Sequence, residues 1–342
     1  MQAKVITEPV VTSEYSEESD VTLFHGDCKE LLGQVPLGAA KLIVTSPPYN
    51  IGKSYEKKKR LEDYVAEQDD VIGLCVERLG EGGSICWQVG NHIVGPNEVL
   101  PLDIALYPLF VKRGLKLRNR IVWHFEHGLH CSRRLSGRHE AILWFTKGDT
   151  YTFNLDPIRV PQKYPGKKAF KGPRIGELTG HPLGKNPGDV WVIPNVKHNH
   201  VEKTTHPCQF PVELVERLVL GMTNPGDLVI DPYVGVGTTN IAALRHGRRS
   251  AGSDTELEYL QIASQRLKSE ASGQLRTRPR DRPVYDPAKP SSTRYRPSQA
   301  RPQSLRLLES PAVEYRKGPP ARKRRLAADQ EQKSLRPARN TA

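Results

Sequence analysis

One segment holds the residue types that could bind and activate a planar amine: Thr45-Ser46-Pro47-Pro48-Tyr49-Asn50. The apolar run Leu42-Ile43-Val44 before it predicts a buried strand, and two consecutive prolines end that strand because neither can donate a backbone hydrogen bond. Proline also keeps the residue before it out of the helical region, so the turn is stiff. The Ser46 hydroxyl and the carbonyl oxygens of the turn can accept hydrogen bonds from an amino group, and Tyr49 can stack on a flat ring. The segment therefore predicts a site for an exposed heteroaromatic amine.

A glycine-rich turn later in the chain has the pattern of a site for a nucleotide-like ligand. The apolar run 228–230 leads into Asp231-Pro232-Tyr233-Val234-Gly235-Val236-Gly237-Thr238-Thr239, and residues 240–245 have helical character. Glycines after a strand let the backbone approach a ligand closely. The turn lacks the third glycine of the dinucleotide fingerprint and the Gly-Lys-Ser/Thr ending of a phosphate-binding loop. These absences argue against a dinucleotide-dependent oxidoreductase and against a triphosphate site.

Two further carboxylates follow predicted strands and could reach the same ligand. Asp254 lies seventeen residues beyond Gly237, at the predicted end of the next strand, where it could accept hydrogen bonds from ribose hydroxyls. Asp27 follows the strand predicted around residues 22–24 and could reach the cofactor or the target amine. Alternatively, Asp27 only caps the helix predicted from Lys29.

Together these segments resemble the motifs of the amino-methyltransferases that modify the exocyclic nitrogens of cytosine or adenine in DNA. Ser-Pro-Pro-Tyr resembles their catalytic motif, and Asp-Pro-Tyr-x-Gly-x-Gly-Thr-Thr resembles their S-adenosylmethionine loop. The catalytic motif precedes the cofactor loop, which is the order of the beta class of that family. The resemblance covers about residues 21–268. It implies a three-layer, Rossmann-like α/β methyltransferase fold with a largely parallel sheet and a permuted motif order.

The resemblance also implies which residues serve the reaction. The catalytic residues would be Ser46, Pro47, Pro48 and Tyr49. The residues that bind S-adenosylmethionine would be Asp27, Asp231, Tyr233, Gly235, Gly237, Thr238, Thr239 and Asp254. Asp27 would line the adenine pocket, and Asp254 stands where the family usually has Glu, which shortens the reach to the ribose.

The mechanism that follows requires no covalent nucleophile. The Ser46 side chain and the Pro47 carbonyl would accept both amine hydrogens, which frees the nitrogen lone pair, while Tyr49 stacks on a base that has left the duplex. In the family, serine at the first motif position goes more often with cytosine N4 than with adenine N6. We therefore favour cytosine N4, with adenine N6 as the alternative and a catalytically silent DNA-binding protein of the same fold as a second one. Ring-carbon methylation is rejected, because Pro207-Cys208 is the sole Pro-Cys pair and lies far from the turn.

Three basic groups are predicted to contact double-stranded DNA. The first follows the catalytic turn and could instead be a solvated loop, the second precedes the strand predicted at 141–145, and the third belongs to a Gly-, Pro- and Lys-rich segment that resembles the family's target-recognition insert. Their members are Lys57, Lys58, Lys59 and Arg60; Arg133, Arg134 and Arg138; and Lys163, Lys167 and Lys168. No nuclease-like arrangement occurs in the sequence, so any restriction endonuclease that acts with this protein would be a separate chain.

The elements that must position these residues alternate along the chain, which predicts a largely parallel α/β domain. His206–Pro211 resembles the family's His-Pro-x-x-x-Pro element, although His206 could be a plain cap residue. Helices are predicted over 63–79, 103–113 and 212–222, and strands over 85–89, 121–123 and 141–145. The predicted divisions are a polar N-terminal tail (1–20), a catalytic half (21–146), a target-recognition insert (147–195), a cofactor-binding half (196–268) and a basic Pro/Arg-rich tail (269–342).

Composition separates a folded part from the basic tail. The 342 residues are 37% hydrophobic, which is enough for one large domain or two small ones. Of the net charge of +13, +12 falls on residues 271–342, which contain 18 Lys or Arg and 6 Asp or Glu. This segment includes Arg322-Lys323-Arg324-Arg325 and predicts a disordered tail that either contacts DNA phosphates or only improves solubility.

The sequence shows no pattern for a metal centre, a disulfide framework or a membrane anchor. The five cysteines are scattered without close pairing. His124, His127 and His130 stand beside Cys131 without a recognised fourth-ligand spacing, so we predict no metal site. Residues 1–20 have no apolar signal core, and no stretch reaches the eighteen or so apolar residues that a membrane span needs. We therefore predict a soluble cytoplasmic protein.

Overall fold

A computed structural model describes residues 8–52, 58–95, 97–126, 128 and 130–280. Lys57, His127 and the tail beyond residue 280 lie outside this part of the chain. Within these ranges, no helix is both long and apolar enough to cross a membrane.

In the described part of the chain, nine strands form one mixed sheet in the order β1-β2-β11-β10-β3-β4-β8-β7-β9. Neighbours pair in parallel except at β8, which is antiparallel to both β4 and β7. The strands are β1 (Val11–Thr12), β2 (Val21–His25), β3 (Ala40–Thr45), β4 (Leu79–Val89), β7 (Lys116–His124), β8 (His139–Thr146), β9 (Val190–Val192), β10 (Leu228–Asp231) and β11 (Arg249–Asp254). A separate hairpin joins β5 (Asn91–Gly95) to β6 (Glu98–Pro101).

Helices cover both faces of this sheet. One layer contains α1 (Cys28–Gln34), α2 (Leu61–Arg78) and α3 (Leu102–Val111), and the other contains α4 (Val212–Met222), α5 (Thr238–Arg245) and α6 (Leu257–Ala271). The central strand β3 shows why its sequence is a continuous apolar run. Leu42 and Val44 pack into the core beneath α4 to α6, whereas Ile43 packs into the core beneath α1 to α3. The prediction of a three-layer, largely parallel α/β fold is confirmed.

The sheet brings the predicted motifs to one edge. β3 pairs with β10, β10 with β11, and β11 with β2, all in parallel, so the carboxyl ends of these four strands are neighbours. The catalytic turn follows β3, the glycine-rich loop follows β10, Asp254 ends β11, and Gly26-Asp27 follow β2. Residues that are more than 200 positions apart in the chain thus meet at the same edge.

Several element boundaries differ from the sequence-based expectation. α2 already ends at Arg78, and β4 begins at Leu79, six residues before the predicted start. Leu79 already pairs with Ala40 of β3, and the next residue must be small, because a Cβ added at Gly80 would lie 2.6 Å from the Gly38 carbonyl oxygen. β1 lies within the segment predicted as a polar tail and extends the sheet beside β2.

The folded domain also continues past residue 268. α6 runs to Ala271, and the segment after it packs back against the domain. The backbone N–H of Arg278 donates to Glu202 Oε1 at 3.0 Å, and its guanidinium forms an ion pair with Glu213. All three side chains are buried. Glu202 Oε2 also accepts the N–H of Val212 at 2.9 Å, so this network ties the chain after α6 to the first turn of α4.

The segment 147–195 contains little regular structure apart from a 3₁₀ turn at Asp156–Ile158 and β9. Between them, residues 160–185 form an antiparallel arm, which we call the 160–185 arm. Val160 and Lys185 exchange two backbone hydrogen bonds of 2.9 Å at its base. Towards its tip, the N–H of Ala169 donates to the Glu177 carbonyl at 2.9 Å.

Candidate active site

A cavity of about 520 Å³ opens at the edge of the sheet where the four strand ends meet. Its walls are the catalytic turn, the glycine-rich loop, the ends of β2 and β11, one face of α2 and the segment around His206. The catalytic turn contributes Ser46, Pro47, Pro48, Tyr49 and Asn50. The two motifs that the sequence separates by about 180 residues therefore share a single cavity.

Side-chain hydrogen bonds hold the catalytic turn against β8. Ser46 Oγ lies 3.0 Å from the Tyr49 hydroxyl, which donates to Glu140 Oε2 at 3.3 Å. Gln88, near the end of β4, donates its side-chain amide to the same Glu140 oxygen. Burial raises the pKa of Glu140, although the hydrogen bonds from Gln88 and Tyr49 and the charge of Lys197 act in the opposite direction.

The residue that follows β4, behind Tyr49, has to be small. A Cβ added at Gly90 would lie 3.1 Å from the Tyr49 ring, which is closer than ordinary van der Waals contact. Gly90 thus leaves room for the aromatic ring beside β4.

Asn50 closes the catalytic turn and also fixes the loop after it. Its φ of +56° is in the left-handed region, which asparagine tolerates better than most residues. Its side chain accepts the N–H of Lys59 at 2.6 Å and donates to the Lys59 carbonyl at 2.9 Å. The side-chain amide of Asn50 therefore joins the two residues that flank positions 51–58.

Asp231 organises the glycine-rich loop from behind. Its carboxylate accepts hydrogen bonds of 2.5 Å from the hydroxyls of Thr45 and Thr239 and one of 3.1 Å from the N–H of Tyr233. It thereby joins the end of β3, the loop and the first turn of α5. Because the side chain is buried, its pKa is raised to about 6 despite these hydrogen bonds.

Two glycines in the loop are required by backbone conformation and by close neighbours. Gly235 has φ +51°, and a Cβ there would lie 3.3 Å from His206 Nε2. Gly237 has φ +76°, and a Cβ there would lie 2.8 Å from the Ala263 Cβ of α6. Burial, with help from the charges of Lys203 and Arg266, lowers the pKa of His206 to about 4. A neutral His206 ring therefore packs over the loop at neutral pH.

The carboxylates after β2 and β11 both face the cavity. Asp254 Oδ2 accepts the N–H of Gly235 at 3.0 Å, and Oδ1 accepts the N–H of Glu256 at 2.8 Å. Burial raises the pKa of Asp254. Asp27 Oδ1 accepts the N–H of Lys29 at 2.8 Å as the N-cap of α1, while the residue also lines the cavity. The two interpretations of Asp27 are thus compatible.

The predicted cofactor residues divide into two groups by position. Five of them line the cavity: Asp27, Tyr233, Gly235, Thr238 and Asp254. Asp231, Gly237 and Thr239 lie behind its wall and support the loop.

α2 contributes a wall residue that the sequence analysis missed. Gln68 is only 3% exposed and donates to the Tyr233 hydroxyl at 3.4 Å. Its Oε1 has no hydrogen-bond partner among the described residues. A signal was present, because Gln68 lies between Tyr64 and Val71 in the apolar stripe of an amphipathic helix, where a polar residue is unexpected.

Comparison with known proteins identifies the family. The family model described as "DNA methylase", of the N6/N4 type, matches residues 40–265, which is more than half of the 342-residue chain. The chain belongs to the DNA methylase family. The sequence is 47% identical over 260 residues to the type II methyltransferase M.BglII of Bacillus subtilis, covering 76% of this chain and 72% of that protein. It is 32% identical to the DNA adenine methyltransferase YhdJ of Escherichia coli, covering 72% of this chain and 82% of that protein.

A solved structure agrees with this assignment. The chain matches a protein of Thermus thermophilus, described as a DNA modification methylase and crystallised with S-adenosyl-L-methionine, with a TM-score of 0.53 and 30% identity. The match covers 73% of this chain and 96% of that chain. The protein is thus an S-adenosylmethionine-dependent DNA methyltransferase.

The cavity of this methylase fits its cofactor. S-Adenosylmethionine carries an adenine amine, ribose hydroxyls and an α-ammonium group, all of which need hydrogen-bond acceptors. The walls offer the orphaned Oε1 of Gln68 and the carboxylates of Asp27 and Asp254. The donor and acceptor chemistry of the cavity therefore suits the group.

The predicted DNA-contacting residues are spread around this methylase rather than gathered at one point. Lys59 lines the cavity, with Nζ 2.5 Å from Glu67, while Lys58 donates to the Ile93 carbonyl and Arg60 pairs with Glu62 at 3.5 Å. Arg134 and Arg138 donate to neighbouring carbonyl groups. Four further members are exposed: Arg133, Lys163, Lys167 and Lys168, of which the lysines lie on the 160–185 arm.

Proposed function

We propose that this methyltransferase transfers a methyl group to the exocyclic N4 of a cytosine that has been rotated out of the DNA duplex. The observation that carries this proposal is the shared cavity, in which the Ser46-Pro47-Pro48-Tyr49 turn faces the glycine-rich loop. A bound cofactor and a target amine held by these two elements would be adjacent, which is the requirement for direct transfer.

The catalytic turn would activate the amine. S-Adenosylmethionine supplies a methyl group that its sulfonium has already activated, whereas an exocyclic base amine is a poor nucleophile because its lone pair is delocalised into the ring. The Ser46 hydroxyl and the Pro47 carbonyl accept the two amine hydrogens and draw the nitrogen towards tetrahedral geometry. Tyr49 stacks on the base and offsets part of the few kcal/mol that unstacking costs.

The cofactor would be held by the loop and by the two carboxylates. Tyr233, Gly235 and Thr238 contribute the loop side, Asp254 accepts hydrogen bonds from the ribose, and Asp27 lines the adenine pocket. Asp231, Gly237 and Thr239 keep the loop in place from behind. This division of roles follows from which side chains reach the cavity.

The choice of cytosine rests on Ser46, since serine at this motif position goes more often with cytosine in the family that the sequence resembles. Adenine N6 is the second candidate, because the relative YhdJ is named a DNA adenine methyltransferase. A hydroxyl can accept a hydrogen bond from either amine, so the chemistry of the turn permits both.

Nucleoside mass spectrometry tests the proposal. Purified protein is incubated with unmethylated duplex DNA and labelled S-adenosylmethionine, and the DNA is then digested. N4-Methylcytosine is the expected product. N6-Methyladenine would retain the mechanism and overturn the choice of base, and a product methylated on a ring carbon would overturn the mechanism.

Replacing Asp254 by asparagine should weaken cofactor binding. The amide retains only one of the two oxygens that accept the N–H groups of Gly235 and Glu256, and it loses the charge and one acceptor that ribose hydroxyls would use. Hydrogen bonds to charged groups contribute about 1.5–3 kcal/mol, so we expect the Kd of S-adenosylmethionine to rise about 10- to 100-fold, measured by titration calorimetry. Glu258→Gln removes an exposed carboxylate of α6 and is the matched control. A Kd within twofold of the wild-type value would contradict the role of Asp254.

The segment 147–195 would recognise the DNA target, and the 160–185 arm is its projecting part. Its lysines are exposed, and they alternate with exposed apolar and aromatic side chains such as Tyr164 and Phe170. Cations of this kind contact phosphates, while neighbouring side chains can reach base edges. Any cleavage of unmethylated DNA would require a separate endonuclease.

The triple replacement of Lys163, Lys167 and Lys168 by alanine should reduce the salt dependence of DNA binding. Each lost phosphate contact lowers the slope of log K against log salt by about 0.9, so a decrease of roughly 2 to 3 is expected. The matched control replaces Lys41, Lys112 and Lys116, which change the net charge equally but lie in or just before the first residues of β3 and β7. Fluorescence anisotropy at several salt concentrations measures both slopes. Equal slopes for the two triple variants would remove the arm from the interface.

A further inference from the structure

We propose that Glu140 is a positioning residue for methyl transfer, which acts through Tyr49 to keep the lone pairs of Ser46 directed at the target amine. This inference rests on the proposed function, because it concerns how Ser46 receives the amine. Glu140 itself lies behind Tyr49 and does not line the cavity.

The geometry fixes the direction of a chain of hydrogen bonds. A carboxylate can only accept, so the single hydrogen of the Tyr49 hydroxyl is committed to Glu140 Oε2 at 3.3 Å. The contact of 3.0 Å between Ser46 Oγ and the Tyr49 oxygen must then use the hydrogen of Ser46. Ser46 is left with lone pairs for any group that approaches from the cavity.

This direction matters because a serine hydroxyl, unlike a carboxylate, can be either a donor or an acceptor. If the chain ran the other way, Tyr49 would donate to Ser46, and the Ser46 hydrogen would be free to point at the amine. Two donors would then face each other, and the amine hydrogen would lack its acceptor at the moment when its lone pair must be released. The distant carboxylate thus determines what the catalytic hydroxyl can do.

Gln88 holds Glu140 in the orientation that the chain requires. Its amide donates to Oε2, the same oxygen that Tyr49 uses. Gln88 and Glu140 lie on the neighbouring antiparallel strands β4 and β8, where the pair Gln88/Ile142 is in register. The carboxylate is therefore mounted on the sheet rather than on a loop, and its position does not depend on the substrate.

Protonation of Glu140 would release the constraint on the Tyr49 hydrogen, because the acid could donate to Tyr49 and reverse the direction of both hydrogen bonds. Burial raises the pKa of Glu140, and the titratable groups that act on it are Tyr49, by a hydrogen bond, and Lys197, by its charge. The rate of methyl transfer should therefore fall as the pH falls through a pKa above the usual glutamate range.

Single-turnover methylation of duplex DNA between pH 5 and pH 8 tests the proposal with three variants: Glu140→Leu, which removes the acceptor, Tyr49→Phe and the double variant. We expect each single variant to lower the rate constant at pH 8 about 10- to 100-fold with an unchanged Kd for S-adenosylmethionine. Both should lose the acid limb of the wild-type pH profile. The double variant should be no slower than Tyr49→Phe, since both changes break the same chain. Glu126→Leu, which alters an exposed glutamate just after β7, is the control and should retain the wild-type profile.

Two results would overturn the proposal. One is a Glu140→Leu variant with the wild-type rate and acid limb, and the other is an additive loss in the double variant. If Glu140→Leu fails to bind S-adenosylmethionine because it misfolds, Tyr49→Phe decides alone, since retention of the acid limb without the phenolic hydroxyl would refute the proposed direction of the hydrogen bonds. A wild-type protein that produces no methylated amine would overturn the proposed function itself and is visible in the same assay.

Discussion

An alanine variant at Tyr49 should lose most methyl transfer while it still binds S-adenosylmethionine. The ring lines the cavity next to Ser46, and its removal takes away the surface on which the base would stack. Stacking contributes about 1–3 kcal/mol per base, and loss of the hydroxyl also breaks the contact with Ser46. We expect a decrease of roughly 100-fold or more in the single-turnover rate constant. The Kd of the cofactor, measured by calorimetry, should change less than about threefold.

The control for this variant is Tyr107→Ala. Tyr107 is a half-exposed tyrosine of α3 whose ring lies 5.8 Å from the Phe145 ring, outside the cavity. This change removes the same side chain without touching the catalytic turn. If Tyr49→Ala methylated DNA as fast as Tyr107→Ala, the cavity would not be the place where the base is held. Loss of cofactor binding in Tyr49→Ala would instead assign the ring to the cofactor.

The stability of an Asp231→Asn variant should depend on pH differently from that of the wild type. Burial raises the pKa of Asp231 from 3.8 to about 6, so folding favours its protonated form. Below about pH 3 the group is protonated in both states, and its contribution does not depend on pH. Between about pH 4 and pH 6 the unfolded state loses this proton while the folded state keeps it, so the contribution of the group to the free energy of unfolding falls by about 3 kcal/mol. Above about pH 6 both states are ionised, and the contribution stays constant.

Asparagine cannot titrate, so the variant escapes this loss. We expect the free energy of unfolding of Asp231→Asn, relative to the wild type, to rise by about 3 kcal/mol between pH 3 and pH 7.5. Urea denaturation at several pH values measures this difference, and Asp189→Asn, which changes an exposed carboxylate, provides the comparison. A difference between Asp231→Asn and the wild type that stays constant with pH would show that Asp231 does not titrate in this window.

Short sequence patterns predicted much of the candidate site. The catalytic turn was predictable because the strand-ending prolines and the residues that could bind an amine are consecutive in sequence. The glycine-rich loop and α4, whose bounds of Val212–Met222 match the prediction, were predictable for the same reason. Asp254 could be placed because strand and helix lengths in α/β proteins are regular enough to count residues from one strand end to the next.

Contacts between distant strands could not be predicted in the same way. Glu140 meets Tyr49 only because β8 runs antiparallel to β4, so its first residues arrive beside the last residues of β4. Asp231 is predicted from sequence as a cofactor residue, but the sequence does not show that sheet register places Thr45 beside its carboxylate and that the turn into α5 places Thr239 on its other side. Such roles depend on register, which the local sequence does not determine.

The network around Arg278 decides where the basic tail can be removed for study. A deletion after Lys268, at the boundary suggested by composition, would shorten α6 and remove Arg278, whose guanidinium pairs with the buried Glu213 and whose backbone N–H donates to the buried Glu202. Breaking a buried ion pair from one side costs about 3–5 kcal/mol. Weak DNA binding by that shortened protein would then report a damaged domain rather than a missing tail. A deletion after Arg280 keeps the network intact and isolates what the basic residues beyond 280 contribute to DNA binding.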